Sequence, residues 1–175
     1  MKRFTSVIIP FVAVTLSVVA CTKKEAATEA PAAAPQAEAP AAAPAAVDPN
    51  KKADVEVSIG TEGDAMAFNT KEFEVKAGQL VKVNFKNNAS PGGLQHNLLF
   101  VKPGSEQAVA NASIQAGNDK GWVPAGDANV FAHTKLVNAG ESDSVTFVAP
   151  AAGDYPYICT FPGHAMVMKG VMHVK

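Results

Sequence analysis

Near its C-terminus the chain reads Cys159-Thr160-Phe161-Pro162-Gly163-His164, with Met168 four residues further on. A thiol, an imidazole and a thioether therefore share one short loop, and the fold has to aim them at a common centre. Two histidines, one Cys and a weakly held Met form the donor set of trigonal copper sites that carry electrons. The loop supplies only one imidazole, so the second must come from elsewhere. Among the four histidines of the chain, His96 in Gly93-Leu94-Gln95-His96-Asn97 is the best candidate. Its distance along the chain demands a framework that brings two remote segments together and holds them still.

Cysteine usage supports this reading. The chain opens with Met1-Lys2-Arg3 and an apolar run from Phe4 to Ala20 that ends at Cys21, a basic n-region followed by an h-region. The run is near the short end of what spans a bilayer, and a small residue before Cys21 favours cleavage, so residues 1–20 are read as a lipoprotein signal peptide rather than a transmembrane helix. Val18-Val19-Ala20-Cys21 resembles the lipobox of bacterial lipoproteins, in which the Cys becomes the lipidated N-terminus. Thr22 in place of Asp then implies the outer membrane. An exported chain with two cysteines is ordinarily expected to form a disulfide, but lipid on Cys21 leaves Cys159 alone. A lone thiol in an oxidising compartment is either a buried, inert hydrophobe or a thiolate held by metal. His164 and Met168 beside it favour the metal.

Residues 21–52 are read as the lipidated Cys21 and a tether dominated by Ala, Pro and Glu. Such a segment has no large apolar side chains to bury and many prolines without backbone donors. It is expected to be disordered and to sample extended, polyproline-like conformations, reaching up to roughly 80 Å at about 3.1 Å per residue. Residues 53–175 suit one compact domain. Their pattern alternates: Val55, Val57 and Ile59; Phe73 and Val75; Val81, Val83 and Phe85; Val145 and Phe147. Leu98-Leu99-Phe100-Val101 is apolar throughout and fits a strand covered on both faces. Short strands punctuated by Gly, Pro and Asn predict an all-β sandwich of two sheets.

One stretch breaks the alternation. Ser105 to Ala116 predicts a short inserted helix, capped at Ser105, with Ala108, Val109 and Ala112 on its apolar side and Gly117 as its stop. Asn118 to Asn129 reads as an irregular loop that Trp122 anchors against the sandwich. His133 and His173 have no companion donor at ligand spacing and are read as surface histidines. Met66 and Met172 are assigned to apolar packing, and Met166 is the rival of Met168 on the ligand loop.

The ligand loop, Lys169-Gly170 and the final strand closely resemble azurin. So do MAFNTKEFEV (66–75), HNLLFVK (96–102) and AHTKLVNAGESDSVTF (132–147), while PGGLQHN (91–97) and KPG (102–104) look like auracyanin, its relative. The resemblance covers nearly all of 55–175 and implies a cupredoxin-like Greek-key sandwich holding one type 1 copper. By this resemblance His96, Cys159 and His164 are the strong equatorial ligands and Met168 the long axial one, with the Gln95 carbonyl as a weak fifth contact. Asn97 would tie the two ligand loops together, and backbone amides near Asn97 and Phe161 would hydrogen-bond the sulfur. The family's electron port implies an apolar patch of Leu94, Phe161, Pro162, Ala165 and Val167 around a partly exposed His164. Azurin's disulfide has no counterpart here, and Leu98 stands where azurin has Trp.

The function expected from these readings is a blue copper carrier moving single electrons between periplasmic or membrane partners such as c-type cytochromes and a terminal reductase or oxidase. The alternative is copper storage or delivery, which favours exposed, Met-rich or paired-Cys sites that release metal readily. A copper enzyme needs an open coordination position or further His clusters, and no His-x-His pair is present to build one. A formal net charge of -1 gives no reason to expect nucleic acid or strong electrostatic steering. The lipobox and the Ala/Pro/Glu tether, which resemble lipid-modified azurins, imply an exported chain anchored to a bacterial membrane.

Overall fold

The computed structural model describes residues 51–175. The segments read as a signal peptide (1–20) and as a lipidated Cys21 with its tether, as far as residue 50, lie outside the described residues. The alternating segments become β1 Val55–Gly60, β2 Glu72–Val75, β3 Leu80–Lys86 and β6 Ser142–Val148, and the structure adds β5 Val130–His133, β7 Gly153–Ile158 and β8 Lys169–Val174. The apolar run supplies β4 Leu99–Val101, and α1 Glu106–Ala116 is inserted after it. One sheet has the order β1-β3-β6 and the other β2-β8-β7-β4-β5. The pairs β1/β3 and β2/β8 are parallel and the rest antiparallel. Parallel neighbours cannot be joined by a hairpin, so the chain crosses between sheets and builds the all-β Greek-key sandwich.

Period-two strands put every second side chain between the sheets. Ile59, Val81, Val83, Phe85 and Phe147 from the smaller sheet meet Phe100, Tyr157, Met172 and Val174 from the larger, all buried. Phe100 anchors the contact, with its ring centroid 4.9 Å from Phe147 and 5.5 Å from Tyr157. The unbroken apolar run has a physical reason. Leu98 and Phe100 face this core, whereas Leu99 and Val101 face the opposite side, where Ile158, Val109 of α1 and Val123 cover them. Both faces of the strand leading from His96 are thus packed.

Two details of the helix differ from expectation. Ser105 occupies the N-cap position, but its hydroxyl donates to the Lys102 carbonyl at 2.6 Å and caps no helical N–H. The buried face consists of Val109 and Ser113, not Ala108 and Ala112; Ser113 satisfies its hydroxyl by donating to the Val109 carbonyl at 2.8 Å, which lets a polar residue face the core. Gly117, at φ 75°, ends the helix as expected. The following loop contains a short 3-10 turn, Asn118–Lys120. Met172 is buried, but Met66 is 46 % exposed on the turn between the bridged residues Thr61 and Phe68.

Backbone proximity decides one further position. Tyr157 of β7 stands opposite Gly170 of β8, and its hydroxyl donates to the Thr70 carbonyl at 2.6 Å. A Cβ at Gly170 would collide with the Tyr157 ring and the Lys71 carbonyl, so the ring crosses β8 only because residue 170 has no side chain.

His173 of β8, companionless in sequence, is flanked in the fold by carboxylates from both neighbouring strands. Its Nδ1 lies 2.7 Å from Asp154 of β7 and its Nε2 3.7 Å from Glu72 of β2. The hydrogen bond to Asp154, with the charges of Asp154 and Glu72, raises its pKa above the ordinary value, while desolvation and, less strongly, Lys175 oppose the rise. A raised folded-state pKa adds stability below the unfolded value near 6.5 and loses it as pH climbs through the folded value. His173→Gln should therefore lower the melting temperature at about pH 5.5 and make little difference at about pH 8.5. Thermal melts of both proteins across that range test this; a gap that does not change with pH would assign His173 a packing role only.

Candidate metal centre

Three strand ends meet at one end of the larger sheet. Cys159 follows β7, Met168 precedes β8, and His96 lies three residues before β4 in a bridge to Val137, with His96 N–H to Val137 O at 3.2 Å and Val137 N–H to His96 O at 2.9 Å. Between Cys159 and Met168 the loop folds into a tight turn. Gly163 takes φ 84°, which a side chain would oppose. The His164 N–H donates to the Phe161 carbonyl at 3.0 Å, and the His164 carbonyl accepts from Val167 at 3.0 Å and Met168 at 2.8 Å. Cys159 N–H donates to the Met168 carbonyl at 3.0 Å and closes the loop.

This closure brings the candidate donors together. Cys159 Sγ lies 3.7 Å from His96 Nδ1 and 3.6 Å from His164 Nδ1, and the ligand atoms of the three residues lie within 4.8 Å of one another. A thiol has one proton and can donate to only one of the two rings. The triangle instead matches a shared cation: bonds of about 2.3 Å to sulfur and about 2.0 Å to nitrogen, opened by about 120°, separate the donors by roughly 3.7 Å. Sulfur with two imidazoles also selects copper over hard, oxygen-seeking cations.

All three donors are buried. Burial lowers the His96 pKa to about 4, helped by the charge of His164, and lowers His164 as well. Both rings are therefore neutral donors at neutral pH. Burial pushes the Cys159 thiol up to about 11, although hydrogen bonds from the backbone N–H groups of Asn97 and Phe161 favour the thiolate. A bound cation would stabilise that thiolate, and its binding would displace the thiol proton.

Asn97 joins the two segments. Its Nδ2 donates to Thr160 Oγ1 at 2.9 Å and to the Gly121 carbonyl at 3.0 Å, and its Oδ1 accepts the Thr160 N–H at 2.8 Å. Thr160 Oγ1 lies 2.7 Å from the Trp122 carbonyl, so the ligand loop is also tied to the loop after α1. Trp122, held at φ 58°, packs edge-on against Phe161, which lies over His164 with centroids 4.8 Å apart. Sequence reasoning had only a loop anchor for Trp122; its tie to the ligand loop depends on a contact between remote residues.

Of the two methionines on the loop, Met168 is fully buried and Met166 is 66 % exposed. Gln95 sends its side-chain amide outward to Asn138 Oδ1 at 2.8 Å. The patch residues divide: Leu94, Pro162 and Val167 are exposed, while Phe161 and Ala165 are partly covered. His164 corrects the expectation of a partly exposed ring. It is 2 % exposed, because the rings of Phe161 and His96 close over it.

Residues 55–175 match the family model described as copper binding proteins of the plastocyanin/azurin type. The chain belongs to that family. It is 44 % identical over 123 residues to auracyanin-A of Chloroflexus aurantiacus, covering 69 % of this chain and 75 % of the relative. To azurin of Pseudomonas putida it is 41 % identical over 118 residues, covering 64 % and 92 %. The solved structure of auracyanin A, described as a blue copper protein, superposes with a TM-score of 0.64 at 43 % identity, covering 69 % of this chain and 98 % of that one. Copper is thus the metal this site takes, and His96, Cys159 and His164 form the ligand group typical of a type 1 centre.

Within this plastocyanin/azurin-type fold the Asn97 bonds should matter even without metal. Asn97→Ala leaves the buried Thr160 N–H and the Gly121 carbonyl unpaired, at about 1–3 kcal/mol for each group that stays dry. Urea denaturation of the metal-free full chain should show about 2–4 kcal/mol of destabilisation. A loss within error of zero would mean that the two loops are held by packing.

Proposed function

We propose that this chain is a blue copper electron carrier tethered through lipid on Cys21 to a bacterial membrane, the outer one, with its domain in the periplasm or at the cell surface. The observation that carries the reading is the buried triangle of one thiol and two neutral imidazoles, closed under a hydrogen-bonded loop. Met168, buried beside them, is assigned as the weak axial ligand, and the Gln95 carbonyl as a weak fifth contact.

Bound copper supplies a one-electron change at donors whose positions suit both oxidation states imperfectly and so move little. The protein's share is to keep those positions fixed. Asn97 locks Thr160, the N–H groups of Asn97 and Phe161 hold the sulfur, and the rings of Phe161 and His96 keep water from His164. Electrons would pass at the apolar surface of Leu94, Pro162 and Val167, backed by Phe161 and Ala165, to c-type cytochromes on one side and a terminal reductase or oxidase on the other. Redox encounters of this kind are small and short-lived.

Storage or delivery fits less well, since a site this deeply closed retains its metal. Met168 would complete the donor set and leave no position for a substrate, which supports reading the chain as a carrier rather than an enzyme.

The full chain loaded with Cu(II) should be intensely blue, bleach on reduction and recover on reoxidation. Cys159→Ser should bind Cu(II) without the colour, and Met168→Leu should keep the colour with a shifted potential, because the axial bond is weak. A colourless wild-type Cu(II) form would end the carrier reading. Fractionation of cells expressing Cys21→Ser tests the anchor: the variant should leave the membrane fraction, and its retention there would refute lipidation at that residue.

A further inference from the structure

An open cleft of about 500 Å³ lies on the flank of the metal centre, between the loop after α1 and the segment following β5. Gln95 forms part of its wall, directly before His96, and so does Gly121, whose carbonyl receives the Asn97 amide. The other chemistry-bearing residues of the lining are Lys120, His133 and Lys135, and no carboxylate lines it. Lys120 and Lys135 are exposed and take part in none of the ion pairs among the described residues. The nearest acids, Asp119, Asp127 and Asp143, stand outside the lining: Asp119 adjoins Lys120, Asp143 accepts the backbone N–H of Lys135 at 2.7 Å and Asp127 that of Asn129 at 2.8 Å.

We propose that this cleft is a docking site for an acidic redox partner, whose Asp or Glu side chains enter between Lys120 and Lys135 while its apolar surface meets the patch beside His164. The argument is charge complementarity and position. Two ammonium groups outside any ion pair line a concave surface, and like charges in a cleft concentrate the local field. The cleft also adjoins the patch: Gln95 follows Leu94, and Gly121 precedes Trp122, which packs against Phe161. An electrostatic contact here orients a partner that the apolar surface alone would let rotate. The ammonium groups suit single carboxylates as point charges, where a phosphate-reading site would favour the planar fork of Arg. The inference rests on the carrier reading only in taking the partner to be a redox protein.

The test uses the full chain in its diamagnetic Cu(I) form, titrated with a capped hexaglutamate peptide and followed by backbone amide NMR shifts. Shifts should gather at Gly121, Lys135 and Leu136, saturate, and shrink as salt is added. The variant Lys120→Gln/Lys135→Gln should weaken binding by at least about fivefold, and hexaglutamine should give no response. Absent cleft shifts, or shifts unchanged in the double variant, would overturn the proposal. Citrate acting as strongly as the peptide at equal carboxylate concentration would overturn it too, by assigning the cleft to a small molecule. Oxidising the same sample separates the two readings: a blue protein that ignores the peptide loses only the docking site, and a colourless one loses the carrier.

Discussion

The Asn97 side chain joins two segments just beyond the point where the pairing of β4 with β7 ends. Its amide holds Thr160 on the ligand loop and Gly121 on the loop after the helix, while its own backbone N–H faces the Cys159 sulfur. Without that joint, the imidazole before β4 and the thiol after β7 would rely on strand packing alone for their separation. With it, three donors stay within bonding reach of one point. Burial then sets their protonation: neutral rings, and a thiol that keeps its proton until a cation displaces it into solvent.

Rigidity at that point comes from the sandwich beneath. The strands leading to Cys159 and from His96 are neighbours in the larger sheet, and both of its faces are covered, one by the aromatic core around Phe100 and the other by Val109 and Val123. A site packed from two sides cannot relax easily when the charge at its centre changes. The tight ligand turn, the Asn97 bonds and the doubly covered strands all serve that single requirement.

Local patterns were legible in the sequence because they need no distant partner. Alternation at Val81, Val83 and Phe85 marked a strand, the run from Leu98 to Val101 marked one buried on both faces, and Gly117 marked the end of the helix. The ligand loop was legible for the same reason, since Cys159, His164 and Met168 lie within one turn. Misreadings fell where a choice between partners decided the outcome. Ser105 spent its hydroxyl on Lys102 instead of a helical N–H, Ser113 entered the core by bonding Val109, and Met66 stayed outside it. His173 gained Asp154 and Glu72 only through strand pairing, and His164 was covered by rings whose approach no spacing rule reports.

What the sequence by itself determined was the type of chemistry: the donor elements, the loop that carries most of them, the sandwich that supports them and the best candidate among the remaining histidines to complete the set. Tertiary structure decided the separations between those donors, their dryness, the inward side for Met168 and the outward one for Met166. It also gathered Lys120, His133 and Lys135 around one cleft. The reason is physical. A residue's donor atoms are covalent and travel with the chain, whereas distance, desolvation and the sum of neighbouring charges exist only after remote segments have packed.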